Sequence, residues 1–240
     1  MKDTLRLNIE NKPRMIAHRG QSGLEPENTA SAFVAAGNRT HFGVETDVHR
    51  TADGQFIIIH DDDTRRVADM NLPVEGSALR QLQALTLRDM DGQARRDLVL
   101  PGLSEYSRIC RKYGKASVLE LKNHFTPEQV AEIVAIVREA GWLRETVFIS
   151  FDLENLISLR QLLPDQTAQY LVCRETPDLL DTLTRYRLDL DMDYKALTHD
   201  LVRRVHDAGR LVNVWTVNDL ADARRLADWG VDYITSNIIE

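Results

Sequence analysis

Between positions 18 and 60 the chain carries, among others, His18 and His60, Arg19, and the carboxylates Glu45 and Asp47 spaced by two. Imidazoles move protons near neutral pH, a guanidinium takes phosphoryl oxygens, and carboxylates hold hard cations. That is an inventory for cutting phosphate esters. Further along, Glu120 and Lys122 add a third carboxylate and a second cation, and Trp215 adds an aromatic surface.

These side chains can converge only if local structure aims them. Side chains two apart share a face of a strand, so Glu45 and Asp47 point one way and Val44, Thr46 and Val48 the other. Glu120 and Lys122 likewise share a face opposite Leu119 and Leu121. The polar faces are expected to look into a barrel mouth, with the apolar faces packed beneath helices. Three hard oxygen donors, Glu45, Asp47 and Glu120, suit Mg2+ or Ca2+, and no His-rich or Cys-rich cluster favours zinc.

Short β-branched runs alternate with amphipathic helical stretches, the pattern of βα units around a parallel sheet. Strands are expected at 14–18, 43–48, 116–121, 146–150, 168–172, 188–192, 211–216 and 231–235. Helices are expected at 28–39, 102–113, 126–140, 152–163, 175–185, 197–208 and 218–228. Eight strands in 240 residues predict an α/β fold, a TIM-type (β/α)8 barrel spanning 1–240 as one domain. Positions 51–101 form an inserted segment between the second strand and second helix, starting with a hairpin that turns at Asp53-Gly54 into Phe56 to Ile59. After the eighth strand only Ser236 to Glu240 remain, too few for a closing helix, so Met1 to Asn11 or a partner subunit is expected to cover that flank.

The pieces His18-Arg19-Gly20, Pro26-Glu27-Asn28-Thr29, Glu45-Thr46-Asp47-Val48, Thr51-Ala52-Asp53-Gly54, His60-Asp61, Leu119-Glu120-Leu121-Lys122 and Val214-Trp215-Thr216-Val217-Asn218 run in order across nearly the whole chain. Together they resemble the signature of the glycerophosphodiester phosphodiesterase family, of cytoplasmic bacterial type. The resemblance implies metal-dependent hydrolysis of diesters such as glycerophosphocholine or glycerophosphoethanolamine to sn-glycerol 3-phosphate and an alcohol. It implies His18 and His60 as general acid and base, and Arg19, Lys122 and Trp215 as substrate-binding residues.

Two other functions are weighed on the same residues. A related phospholipase-type enzyme would act on a lipid or lysolipid, but no membrane-binding stretch accompanies the motif. A silent phosphodiester-binding barrel would not require two proton carriers. The net charge of −7, without a basic cluster, argues against nucleic-acid partners. No apolar run approaches a membrane span, and the first residues lack a signal-type core, so a cytoplasmic location is expected. Self-association is compatible with these features.

Several residues invite plainer readings. Cys110 and Cys173 have no framework spacing and are expected to be buried small hydrophobes. Asn28 or Thr29 reads as a helix N-cap, and Asp61, Asp62 and Asp63 as a turn cluster. His41, His49, His124, His199 and His206 read as solvated or structural, His124 lying close enough to Lys122 to approach the site. Asp189, Asp191 and Asp193 alternate on one strand face; a solvated or capping role is expected over an added cation site. Phe151 and Trp215 are candidates for a small wall around the alcohol.

Overall fold

The computed structural model describes residues 3–240. The strands are β1 (Arg14–Ala17), β2 (Gly43–Arg50), β3 (Phe56–Ile58), β4 (Leu87–Arg88), β5 (Ala94–Arg95), β6 (Ala116–Leu121), β7 (Thr146–Ser150), β8 (Ala168–Val172), β9 (Asp189–Asp193), β10 (Val212–Trp215) and β11 (Tyr233–Ser236). The helices are α1 (Ala30–Gly37), α2 (Leu79–Gln83), α3 (Leu103–Tyr113), α4 (Pro127–Glu139), α5 (Leu153–Leu162), α6 (Leu179–Tyr186), α7 (His199–Asp207) and α8 (Leu220–Asp228). The parallel order β1-β2-β6-β7-β8-β9-β10-β11 closes through pairing of β11 with β1, giving the (β/α)8 barrel. All eight strands expected from the sequence are its staves.

Period-two alternation builds two layers. Val44, Val48, Leu119, Leu121, Phe148, Leu190, Met192, Val212, Val214 and Ile234 face outward and pack under the helices. Inside, Ile16, Val118, Val147, Ile149, Leu171 and Tyr233 form an apolar plug with Trp215 against it. Each helix enters from a loop at the strands' C-terminal ends, and Thr29, Thr126, Asp152, Thr198 and Asp219 accept the caps' backbone N–H bonds. Thr29, not Asn28, is therefore the cap of α1. The sixth helix begins at Leu179 and not at 175, because Pro177 disfavours helical backbone at Thr176.

The inserted segment has more order than a polar loop. β3 pairs antiparallel with β2 in the register Val48↔Ile58, with Gly54 supplying a φ of +77° in the turn. α2 and the β4–β5 ribbon follow, and Ile57, Ile59, Val74, Leu82, Leu87, Leu98 and Leu100 bury a second core. Single hydrophobes scattered among polar residues gave no periodicity to reveal it. Cys110 is buried as expected, but Cys173 is exposed, since it lies one residue beyond β8 and has left the buried faces of the strand.

The chain termini meet each other. Leu5 N–H donates to Ile238 O (3.0 Å), Leu7 N–H to Glu240 O (2.9 Å), and Glu240 N–H to Leu5 O (2.8 Å). Leu7 and Ile239 are buried with Phe33 and Ala36 of α1 in the outer core layer. The expected covering segment is thus present from Asp3 onward; Met1 and Lys2 lie outside the described residues. Leu7→Ala removes a buried leucine and should cost about 2–5 kcal/mol. At about 2–4 °C per kcal/mol for a chain of this size, calorimetry should read a Tm lower by roughly 5–15 °C, and so should removal of the first eleven residues. An unchanged Tm would remove the covering role.

Candidate active site

The parallel pairing of β2 with β6 sets Asp47 beside Glu120, and Glu45 lies one inward position earlier. One carboxylate oxygen from each of Glu45, Asp47 and Glu120 lies within 4.8 Å of the others. All three are buried, at 3%, 1% and 7% exposure. Lys122 Nζ approaches Glu120 Oε1 at 3.0 Å and Asp47 Oδ1 at 3.6 Å, neither aligned as a hydrogen bond. Arg19 Nε is 3.7 Å from Asp47 Oδ2.

Two cations do not neutralise three buried anions. Burial, then repulsion from Asp47 and Glu120, hold the Glu45 carboxyl well above its ordinary range. Burial and Asp47 push Glu120 up to about 7 despite Lys122. Burial also acts upward on Asp47, but Arg19 and Lys122 outweigh it and hold that group low. Asp47 Oδ1 and Glu120 Oε1 are sealed from solvent without a hydrogen-bond partner. Converging hard oxygens, two of them orphaned, fit a divalent cation of the Mg2+ or Ca2+ type.

The loop after β1 wraps this cluster. Arg19 takes a φ of +53°, which costs a side-chain-bearing residue of order 1–3 kcal/mol. Its backbone N–H repays part of that by donating to Glu45 Oε2 at 2.8 Å. Gly20 follows at φ +76°, where a Cβ would lie 2.7 Å from Ala32, so no larger residue fits. Asn28, also left-handed at +55°, donates from Nδ2 to Asp47 Oδ2 (2.8 Å) and accepts from Thr46 Oγ1 (2.7 Å). Its role is to orient a carboxylate.

A charge relay joins the β1 loop to the insertion. Arg19 NH1 donates to Glu27 Oε1 (2.9 Å), Arg66 NH2 to the same oxygen (2.8 Å), and Arg66 Nε to Asp61 Oδ2 (2.7 Å). Asp61 Oδ1 lies 2.7 Å from His60 Nδ1. Burial acts upward on Asp61, but the hydrogen bonds and charges of Arg66 and His60 together outweigh it and bring it to about 2. Asp61 is therefore a charged partner of His60, while Asp62 accepts from Asn123 Nδ2 (3.2 Å) and, with Asp63, lines a wide space toward the insertion. His49 is buried beneath, its Nε2 3.2 Å from His60 O.

The two histidines sit in different company. His18 Nδ1 lies 2.6 Å from Asn237 Oδ1, an acceptor, so the proton is on Nδ1 and Nε2 is left free, 4.0 Å from Glu45 Oε2. Burial, then Arg19, lower its pKa to about 4. His60 donates from Nδ1 to Asp61 in the same sense; burial lowers it too, while Asp47 and Asp61 oppose.

His18, Arg19, Glu45, His60, Glu120, Lys122 and Trp215 line one cavity of about 110 Å3. Phe151 meets Trp215 edge to face at 5.7 Å, and both line this cavity. A wider space of about 660 Å3 shares His60, Glu120, Lys122 and Phe151 and opens toward the insertion. His124 takes no part: it is exposed and hydrogen-bonded to Asp152 at 2.7 Å. The three alternating aspartates do not form one site. Asp189 accepts from Leu211 N (3.0 Å) and Asp193 from Lys195 N (3.0 Å), as capping groups do, whereas Asp191 is only 1% exposed and lines the cavity.

Glu27, Asn28, Asp61, Arg66 and Asn237 belong to the site without having been read as such. The first three lay inside recognisable motifs; Arg66 and Asn237 carried no local signal.

A (β/α)8 barrel with carboxylates, histidines and cations gathered at the C-terminal ends of its strands is an enzyme architecture. The model of the glycerophosphoryl diester phosphodiesterase family matches residues 18–240, and the chain belongs to this family of phosphoric diester hydrolases. A glycerophosphodiester phosphodiesterase of Bacillus subtilis is 28% identical over 244 residues, covering 92% of this chain and 82% of the relative. An Oleispira antarctica phosphodiesterase, solved with its product sn-glycerol-3-phosphate, superposes with TM-score 0.86 at 28% identity, covering 94% and 93% of the two chains. A glycerophosphodiester phosphodiesterase from Parabacteroides distasonis gives TM-score 0.78 at 28% identity, with 94% of each chain covered. Among the described residues no helix is long and apolar enough to cross a membrane.

Cation binding should be visible as stability. Near 100-fold excess over its Kd, Mg2+ or Ca2+ should add about 3 kcal/mol and raise Tm by roughly 5–10 °C. Glu120 is raised in the folded state, so the chelated protein loses stability as pH climbs from its ordinary range, about 4.3, to about 7. The cation's gain should therefore be larger at about pH 8 than at about pH 5.5, and Glu120→Gln should abolish it. Scanning calorimetry showing equal gains in the wild type and Glu120→Gln would place the cation elsewhere.

Proposed function

We propose that the protein hydrolyses glycerophosphodiesters, such as glycerophosphocholine and glycerophosphoethanolamine, to sn-glycerol 3-phosphate and the free alcohol. The observation that carries this reading is the pair of histidines bordering one cavity with Glu45 and Glu120 of the carboxylate trio, each with Nδ1 engaged and Nε2 left for proton transfer. The product bound to the Oleispira antarctica phosphodiesterase supports the same substrate class.

A divalent cation held by Glu45, Asp47 and Glu120 would supply Lewis-acid polarisation of the phosphoryl group. Lys122 and Arg19, both half-sheltered beside the trio, offset negative charge that grows on the nonbridging oxygens. Trp215 and Phe151 exclude water from one side and give the substrate an apolar surface.

The partners of Nδ1 divide the histidine roles. A neutral amide, Asn237, backs His18, and Arg19 opposes its protonation, so His18 stays neutral and takes the proton from the attacking oxygen. Burial, Arg19 and Lys122 lower the His60 pKa, but the Asp61 carboxylate at Nδ1 favours its imidazolium in a way the Asn237 amide does not for His18, so of the two His60 is the one that gives its proton to the departing alcohol oxygen. Breaking the P–O bond to the alcohol then leaves no unprotonated alkoxide.

Replacing His18 or His60 by alanine should lower kcat by about 10²–10⁴ with Tm preserved, measured as sn-glycerol 3-phosphate release from glycerophosphoethanolamine. Near-normal turnover by both variants would overturn the assignment. Asp61→Asn tests the division. Removing the carboxylate lowers the His60 pKa, the acid loses its proton at lower pH, and the alkaline limb of kcat/KM should move down. A limb that stays in place would mean that His60 is not the acid.

A further inference from the structure

One buried acid has no part in the proton transfers above. Asp191 lies in the middle of β9, 1% exposed, and its Oδ1 is sealed from solvent without a hydrogen-bond partner. No cation faces it; Glu120 repels its charge, and only the Asn213 amide favours it. An unsatisfied buried carboxyl destabilises the fold, where an apolar residue at the same place would stabilise it. The polar groups beside it are satisfied by one another: Asn213 Nδ2 donates to Gln169 Oε1 (3.0 Å), and Thr235 Oγ1 donates to Asn213 Oδ1 (3.2 Å). Of these four interior side chains, Asp191 alone keeps an oxygen in reserve.

Its surroundings indicate for what. Asp191 lines the cavity of about 110 Å3, where Ile149, Leu171 and Trp215 also stand, and it is the one carboxyl of that lining outside the Glu45, Asp47 and Glu120 cluster. That volume is several waters' worth, enough for a short polyol. The open space of about 660 Å3 borders the same His60, Glu120 and Lys122. A diester whose phosphoryl group sits at those shared residues sends one arm into each space. The small, closed space suits an arm of constant size, and the large, open one suits a variable alcohol.

We propose that Asp191 is a specificity-determining residue that hydrogen-bonds a hydroxyl of the three-carbon polyol arm, selecting polyol phosphodiesters over diesters whose arm has no hydroxyl. This rests on the hydrolysis proposed above, in which that arm is retained as sn-glycerol 3-phosphate. A carboxyl can serve a hydroxyl in either protonation state, accepting from it when ionised and also donating to it when neutral. An arm without the hydroxyl would leave the buried carboxyl unsatisfied, and the penalty falls on the wrong ligand.

The test compares binding of sn-glycerol 3-phosphate and n-propyl phosphate, which lacks both hydroxyls, to the Mg2+-supplied wild type and to Asp191→Leu and Asp191→Asn, by titration calorimetry. The wild type should prefer sn-glycerol 3-phosphate by about 10- to 100-fold. Asp191→Leu should bring the ratio close to one, and Asp191→Asn, which still hydrogen-bonds, should keep most of it. A ratio unchanged in Asp191→Leu, including equal loss of both ligands, would overturn the proposal. So would absence of a preference in the wild type, a result that needs no variant to fold. Failure of the reaction reads differently: a wild type that keeps the preference but releases no sn-glycerol 3-phosphate from any glycerophosphodiester sinks the hydrolysis and leaves the Asp191 contact standing.

Discussion

Holding three carboxylates within 4.8 Å at the end of two neighbouring strands is the constraint to which the rest of this molecule responds. At that spacing each ionised pair costs about 3–4 kcal/mol at an effective dielectric of 20. Arg19 and Lys122 relieve part of it, and the raised Glu45 and Glu120 carboxyls register what they leave. Asn28 and the Arg19 backbone N–H spend hydrogen bonds on holding individual oxygens in place. Left-handed backbone at both residues is tolerable because the carboxylates beneath them determine where those donors must be.

Charge compensation spreads outward from this centre. Glu27 takes up the two arginines that flank it, and Arg66 reaches on to Asp61, which orients His60. The inserted segment supplies His60, Asp61 and Arg66, and its own core of Ile57, Ile59, Leu82 and Leu100 gives them a firm base. The two histidines thus stand on different elements, one following a barrel strand and one following an outlying hairpin. A chain of ion pairs connects their surroundings, so neither loop is placed independently of the other.

The barrel interior divides between support and recognition. Its lower part is an apolar plug, and its mouth is charged. Among these inward side chains are Gln169, Asn213 and Thr235, paired among themselves, and Asp191, which is not. The aromatic pair Phe151 and Trp215 borders the small cavity, Phe151 lining the wide one as well. A phosphoryl group at the charged mouth would therefore meet a narrow space, where Ile149, Leu171, Trp215 and Asp191 stand, on one side and a broad one on the other.

Eight strands and the inward aim of Glu45, Asp47, Glu120 and Lys122 were legible in the sequence, because side-chain alternation is a property of each strand alone. Motif order singled out His18 and His60 among the histidines, and the structure sets both on the same cavity. Partnership was decided only by the tertiary structure. Asn237 reaches His18 because β11 closes against β1, and Arg66 reaches Glu27 because a second core folds the insertion back. Asp189, Asp191 and Asp193 look equivalent in the sequence, yet the outer two cap backbone at the strand's ends and the middle one faces the cavity. Local periodicity says which way a side chain points; what stands opposite it depends on ring closure across more than two hundred residues, which no local pattern encodes.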